Sequence, residues 1–244
     1  MRNGALSIWV NGIKVGYWRR LASGEQELVY CEEWKNSLFR RPLSLSLPIP
    51  LDNRPIKGPS VVNFFENLLP ENETLRNRLA RHFNVPIDDT FELMGALGRD
   101  CVGAIQILKE DEHPGELGKI EGIKLNDHEI AQRLRNVASA GFTLGNFSDE
   151  DFRISLAGAQ AKTAFLFLDG QWCVPRGVTP TTHIFKLPMG RIGPMQVDFS
   201  SSVDNEWLCL RLFNLLGVAS AEAQILSFED QRVLVVERFD RKRL

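Results

Sequence analysis

Residues 155–168 read SLAGAQAKTAFLFL, a turn of small residues followed at once by an apolar strand. A phosphate-binding loop needs small residues, because its backbone N–H groups must approach phosphate oxygens closely, and it needs a cation nearby. Ala157, Gly158 and Ala159 are the small residues, and Lys162 is the cation. The spacing matches neither G-x-x-x-x-G-K-[ST] nor G-x-G-x-x-G, so an ordinary tight turn between two strands is the competing interpretation.

A second lysine lies inside the next apolar stretch, THIFKLP at residues 182–188. Lys186 must pair its charge there or reach solvent. In kinase folds, a strand lysine holds the α- and β-phosphates of ATP and pairs with a helix glutamate. Glu206, in the following helical pattern, is the candidate partner. A solvated strand lysine is the alternative.

The third candidate segment is the end of an apolar strand, where VLVV at residues 233–236 gives way to charged residues. Glu237, Arg238 and Phe239 could form a hinge whose backbone groups meet the edge of an adenine ring. They could equally be the point at which a buried strand leaves the core, and the pattern does not separate the two.

The apolar periodicity predicts an α+β fold in two lobes, at about 1–110 and about 150–244. Asn11-Gly12 between two apolar runs predicts a β-hairpin. Period-two runs predict strands, and apolar stripes at helical spacing predict helices. The strands are expected at 27–31, 40–50 (an edge strand or extended segment), 101–108, 164–168, 182–187 and 233–237, and the helices at 61–69, 74–83, 91–97, 128–137 and 203–216. The charged segment 109–122 is the clearest linker.

Composition narrows the class of protein. The 244 residues carry a net charge of −2 and the pI is about 6.1, which argues against the broad basic face of a stand-alone nucleic-acid binder. The four cysteines and four histidines are dispersed, without the spacing of a zinc site. Neither a signal peptide nor an apolar run of about 18 residues is found. We therefore expect a cytoplasmic protein that does not enter a membrane.

Taken together, these segments resemble the HipA family of serine/threonine protein kinases, the toxins of bacterial toxin–antitoxin pairs. The resemblance lies in FRISLAGAQAKT, TPTTHIFKLP, SSVDNEWLCLRL and VLVVERFDR, in that order. PLSLSLPI, VVNFFENLLPE and DCVGAIQIL are similar to the family's N-terminal subdomain. The resemblance covers about 10–108 and 150–243. It implies a HipA N-terminal subdomain at 1–110, small and β-rich with helices. A linker and helical segment would follow at 111–150, then a kinase-like ATP-binding lobe at 151–244, mainly antiparallel sheet plus helix.

The resemblance also implies roles for individual residues. The loop residues would cover the ATP phosphates, Lys186 would bind phosphate as the strand lysine, and the strand exit would be the adenine hinge. The implied ATP-binding residues are Ala157, Gly158, Ala159, Gln160, Lys162, Lys186, Glu237, Arg238 and Phe239. Ser155 matches the serine that such kinases autophosphorylate, and a phosphate there is expected to abolish ATP binding. Ala161 stands where the family commonly has glutamate, which removes a carboxylate from the loop.

Phosphoryl transfer also needs an orienting aspartate and Mg²⁺ ligands, which the family places well after the hinge. We therefore expect residues 1–244 to lack the catalytic C-terminal lobe, to hold no catalytic or metal-binding residue and to be inactive alone. The chain would be a truncated form or the product of a split or disrupted gene. The implied partner is a small helix-turn-helix, HipB-like antitoxin, through which alone the protein would meet DNA. The implied substrate is a translation factor such as glutamyl-tRNA synthetase.

Two other functions stay open. The chain could be a non-catalytic interaction module that regulates a separate kinase or antitoxin in trans, or an unrelated α+β ligand-binding protein. For a kinase half, we expect an exposed apolar face formed by Val233–Val236 and the helix at 203–216.

Overall fold

A computed structural model describes residues 4–115, 119–138, 158, 160–177 and 179–241. Within these ranges the chain forms two compact units, one up to residue 119 and one from residue 120 onward. Both consist of an antiparallel sheet with helices, so the predicted α+β class with mainly antiparallel sheets is confirmed.

The first unit is built on a five-stranded sheet with the order β4-β3-β2-β1-β5, in which every neighbouring pair is antiparallel. Its strands are β1 (Gly4–Val10), β2 (Ile13–Arg20), β3 (Gln26–Tyr30), β4 (Ile56–Lys57) and β5 (Ile105–Lys109). The predicted hairpin is confirmed, because β1 and β2 pair through Asn11 and Gly12 with φ of 49° and 71°. Positive φ at both positions is what a two-residue hairpin turn requires.

Four helices accompany this sheet: α1 (Glu32–Lys35), α2 (Pro59–Glu66), α3 (Glu73–His82) and α4 (Thr90–Leu97). Side chains cap the N-termini of α3 and α4: Asn72 accepts a hydrogen bond from Leu75 N, and Asp89 accepts one from Glu92 N. The core is aromatic at its centre, where Trp18 stacks on Phe65 with ring centroids 3.8 Å apart.

Two predicted strands of the first unit differ from the structure. Residues 40–50 form an irregular segment with an isolated bridge between Ser44 and Leu47. A side chain holds it, because the Tyr30 hydroxyl donates to Leu47 O at 2.6 Å and accepts from Leu43 N at 2.9 Å. The strand expected at 101–108 begins only at Ile105, because residues 102–104 form a 3₁₀ turn in which Gly103 has φ of 67°.

The second unit is built on a six-stranded sheet with the order β12-β13-β9-β7-β8-β6, again entirely antiparallel. Its strands are β6 (Gly122–Lys124), β7 (Lys162–Leu168), β8 (Gln171–Pro175), β9 (His183–Lys186), β12 (Ala223–Phe228) and β13 (Gln231–Glu237). A separate hairpin joins β10 (Gly190–Ile192) to β11 (Val197–Phe199). The helices are α5 (Asp127–Ala138) and α6 (Ser202–Leu215).

The two helices of the second unit lie on opposite faces of its sheet. Ile130, Ala131 and Leu134 of α5 share a core with Phe165 and Phe185. Because side chains alternate along a strand, Lys186 points away from α5, and it pairs with Glu206 of α6. Thus α5, which the sequence analysis assigned to the segment between the lobes, covers one face of this sheet, and α6 lies over the other.

The exposed apolar face expected on this unit is confined to α6. Val233, Leu234 and Val235 are buried in the sheet, so the expectation that β13 contributes to that face is wrong. The helix leaves a row of large side chains about half or more exposed: Leu208, Leu212, Phe213, Leu215 and Leu216.

Candidate nucleotide site

Two lysines face each other on the side of the sheet opposite α5. Lys162 opens β7 and Lys186 closes β9, and the strand register makes them direct partners. Side chains of direct antiparallel partners share one face, with Cβ atoms about 5 Å apart. The two candidate phosphate-binding cations of the sequence analysis therefore lie together.

The turn before β7 meets the first of these lysines at Gly158. Its φ is 101°, and a Cβ atom at this position would lie 2.8 Å from Lys162 Nζ. The backbone conformation favours glycine, because L-residues rarely adopt a φ of this value. A Cβ atom would also displace the Lys162 ammonium group, which ends a flexible side chain.

Residues 160 and 161 tie the same turn to the end of β9. Gln160 Nε2 donates to Leu187 O at 2.8 Å, and Leu187 N donates to Ala161 O at 3.0 Å. The side chain of Gln160, predicted as an ATP ligand, thus serves to anchor the turn. Ala161, where the family commonly has glutamate, contributes its carbonyl group to the same connection.

Lys186 forms the ion pair that the sequence predicted. Its Nζ atom lies 2.5 Å from Glu206 Oε1, with about a quarter of the lysine and a third of the glutamate side chain exposed. Glu206 is in the second turn of α6, whose start is held down by the fully buried Val203. The pair fixes the direction of the lysine side chain while leaving it accessible.

Apolar residues, which form a floor, separate the two lysines from the exit of β13, that is, from Glu237, Arg238 and Phe239. Glu237 pairs with His183, three residues before Lys186, so the exit lies about 10 Å along the sheet from the lysines. Ala164, Ile184 and Val236 lie between them on the lysine face. Ile184 and Val236 are only half-buried, so this floor is partly accessible from outside the sheet.

The residues at the exit of β13 differ in their hydrogen bonds and in their burial. Glu237 N donates to Glu222 O and Arg238 N donates to Thr182 O, each at 2.9 Å. Arg238 is buried, whereas Phe239 is 92% exposed. The Arg238 side chain therefore points into the protein, whereas Glu237 and Phe239 are exposed.

Several predicted residues lie outside the part of the chain that the structure describes, namely Ser155, Ala157 and Ala159. Among the described residues, no three histidine, cysteine, aspartate or glutamate side chains converge as a metal site would require. None of the described helices has both the length and the apolar character needed to cross a bilayer. Asp240 and Thr181, which hold Arg238, were not predicted as site residues. The available signal was the pair of charged residues, Arg238 and Asp240, directly after a buried strand.

Comparison with protein families places this site in a known context. Residues 6–108 match the HipA N-terminal domain, and residues 154–244 match the HipA-like C-terminal domain. The chain belongs to the HipA family. The second match includes both lysines and the strand exit, so these residues belong to the region that matches the HipA-like C-terminal domain. The expectation that the C-terminal lobe is missing finds no support in it.

Individual HipA relatives agree with this assignment. The chain is 33% identical over 98% of its length to Y4mE of Sinorhizobium fredii, whose name describes a candidate kinase. It is 30% identical over 88% of its length to the serine/threonine-protein kinase toxin HipA of Shewanella oneidensis. A solved complex of HipA, HipB and operator DNA from Shewanella oneidensis MR-1 contains a chain that matches 98% of this one, with a TM-score of 0.71 and 27% identity. The chain spans about half the length of these relatives: 54%, 45% and 51%.

Proposed function

We propose that the second unit binds the triphosphate of ATP as part of a HipA-type serine/threonine protein kinase. The observation that carries this proposal is the direct pairing of Lys162 with Lys186, one against the Gly158 turn and the other bonded to Glu206. A strand lysine paired with a helix glutamate is the arrangement by which kinases hold the α- and β-phosphates.

Electrostatics support an anionic ligand at this position. The side chains of direct strand partners lie close enough for one polyanionic ligand to contact both ammonium groups. Each such contact is a charge-assisted hydrogen bond. Triphosphate fits better than a single carboxylate, because the two lysines and the Gly158 turn offer contacts to more than one anionic group.

The apolar floor and the exit of β13 suit the other end of the same ligand. With the phosphates at the lysines, the nucleoside would extend over Ile184 and Val236 toward Glu237 and Phe239. Mg²⁺ would accompany the nucleotide, and its protein ligands would come from residues beyond those described. Bound there, it would neutralise charge on the transferred phosphoryl group.

Within the whole kinase, the proposed role is that of a toxin that arrests growth by phosphorylating a translation factor such as a glutamyl-tRNA synthetase. Its proposed partner is a HipB-like helix-turn-helix antitoxin, which would supply the contact with DNA. The solved relative in complex with HipB and operator DNA supports this partner. The dispersed cysteines suit the reducing cytoplasm.

A second candidate function rests on α6. Its exposed apolar row, Leu208 to Leu216, would suit a module that acts in trans on a separate kinase or antitoxin. In that case Leu212→Lys, at a half-exposed position, would abolish binding to the separate protein while Lys186→Gln left it unchanged.

Isothermal titration calorimetry of this chain with ATP and Mg²⁺ tests the proposal that the second unit binds ATP. Lys162→Gln and Lys186→Gln should each weaken binding about 10- to 100-fold, because hydrogen bonds to charged groups contribute about 1.5–3 kcal/mol. Lys124→Gln is the matched control, because Lys124 lies on the same face at the edge strand β6. Equal affinity of all four proteins, or no binding by any of them, would overturn the proposal.

A further inference from the structure

Arg238 carries a charge into the interior of the second unit. The residue is 3% exposed, although it lies at the end of β13, where the chain becomes polar. A buried guanidinium group is costly unless its donors are paired with good geometry. Its partners therefore indicate what this position requires.

Among the described residues, the guanidinium group of Arg238 contacts two segments of the chain. Nε and Nη2 donate to Asp240 Oδ1 and Oδ2 at 3.0 and 2.9 Å, a two-pronged contact that we call the exit fork. Nη1 donates to the Oγ1 atom of the fully buried Thr181 at 2.8 Å. Arg241 Nη1 also reaches Asp240 Oδ2, at 3.1 Å.

The backbone makes the same connection as the side chain. Arg238 N donates to Thr182 O, so residue 238 is fixed to the segment before β9 by both its backbone and its side chain. Arg241 N donates to Arg238 O at 3.3 Å, so the chain turns between Arg238 and Asp240. The residue between them is Phe239, which is 92% exposed.

We infer that Arg238 is a positioning residue that holds the exit of β13 in its ligand-ready conformation and makes no contact with the nucleotide itself. The inference rests on the proposed function, in which this exit receives the nucleoside. The exit fork fixes the backbone of residues 237–240 before a ligand arrives, so binding does not have to order it. Preorganisation of this kind raises affinity without adding a contact.

The geometry of arginine is essential to this role. Its planar group engages both oxygens of Asp240 and still reaches Thr181, whereas a lysine ammonium group is a single point charge on a flexible stem. Arg238→Lys keeps the charge and loses the fork, and Arg238→Met loses both. If the fork is what matters, the two variants should behave alike.

Hydrogen–deuterium exchange and nucleotide titration on the full chain test the inference. Without nucleotide, Arg238→Lys and Arg238→Met should accelerate exchange at residues 237–241 by about tenfold or more. ATP affinity should fall about five- to tenfold in both. Arg232→Met is the matched control, because Arg232 lies on the same strand and pairs with the exposed Asp204. It should change neither quantity.

If the Arg238 variants fail to fold, Thr181→Val removes one contact of the guanidinium group with little change of shape, and the same two measurements apply. Unchanged exchange at the exit overturns the inference. Faster exchange with unchanged ATP affinity also overturns it, because the fork would then serve stability alone. If the natural chain binds no ATP, the proposed function fails, and the exchange data alone decide whether Arg238 holds the exit in place.

Discussion

The Nζ atom of Lys186 lies 2.5 Å from Oε1 of Glu206, and this contact joins the central strand β9 to α6. Because both side chains are partly exposed, the pair contributes little to stability, about 1 kcal/mol or less. Its effect is to fix the direction of the Lys186 side chain on the face of the sheet that also carries Lys162. Loss of this pair should therefore change the affinity for ATP more than it changes the free energy of unfolding.

Replacing the glutamate tests this role. Glu206→Gln should weaken ATP binding several-fold, because Lys186 loses the partner that orients it, while the unfolding free energy changes by less than about 1 kcal/mol. Titration calorimetry and urea unfolding measure the two quantities. Asp204→Asn, which removes another exposed ion pair from α6, is the control. A large loss of stability in Glu206→Gln, or equal affinities, would contradict the prediction.

The Gly158 turn allows a sharper test of the site. Gly158→Ala places a methyl group where it would be 2.8 Å from Lys162 Nζ and strains a backbone with φ of 101°. We expect a loss of ATP affinity of about tenfold, because the ammonium group must move away from the turn. Titration of the variant with ATP and Mg²⁺ measures it.

A control variant separates the effect of backbone strain from the effect of displacing the Lys162 ammonium group. Gly170→Ala introduces a similar strain, with φ of 78°, at the turn between β7 and β8, where no other group approaches the new methyl. It should lower stability by about 1 kcal/mol and leave ATP affinity unchanged. Similar affinity losses in the two variants would mean that Gly158 acts only through the backbone.

Local patterns identified the parts of this site but not their arrangement. The apolar run of β7 and Lys186 were identified because apolar strands leave short-range signals, as the hairpin turn Asn11-Gly12 does in the first unit. The pairing of Lys162 with Lys186 depends on the register of two strands some twenty residues apart in sequence, which no local pattern specifies. For the same reason, local patterns did not show on which face of the sheet α5 packs.

Five strands of the second unit were not predicted, namely β6, β8, β10, β11 and β12, and two of them illustrate a related reason. β8 reads QWCVP and ends in proline, and β12 reads AQILSF without strict alternation. Both form because partners in the sheet supply hydrogen bonds and burial, which overrides weak local preference. Conversely, residues 40–50 alternate like a strand but are held as an irregular segment by Tyr30, a contact across the fold that alternation cannot reveal.

Tyr30 provides a prediction for the first unit. Tyr30→Phe leaves Leu47 O and Leu43 N without their partner, and we expect a loss of about 1–3 kcal/mol in urea unfolding at pH 7. Burial raises the pKa of Tyr30, against a smaller lowering by the Leu43 N–H group.

The raised pKa gives this prediction a pH dependence. The folded state favours the neutral phenol, so the stability it provides is complete below about pH 10 and is lost as pH rises further. The gap between natural chain and variant should therefore narrow above pH 10. Tyr17→Phe, at a half-exposed position on β2, is the control and should show little loss. A gap that stays constant up to pH 11 would contradict the assignment.

Glu66 provides the opposite pH dependence in the same unit. Its carboxylate accepts hydrogen bonds from Arg76 and Thr90, and the Arg76 contact is the main reason that its pKa is lowered.

The lowered pKa means that the unfolded chain holds the proton more tightly than the folded protein. The stability from this carboxylate is therefore complete above about pH 5, and it is lost as the pH falls through the usual glutamate pKa of about 4.3 and below. Glu66→Gln should cost about 1 kcal/mol at pH 7, an amount reduced by partial exposure, and this cost should shrink as the pH falls below about 4. Urea unfolding across this range measures the difference. Glu71→Gln, at an exposed position before α3, should track the natural chain at every pH. A Glu66→Gln deficit of equal size at pH 7 and at low pH would rule out the carboxylate as its source.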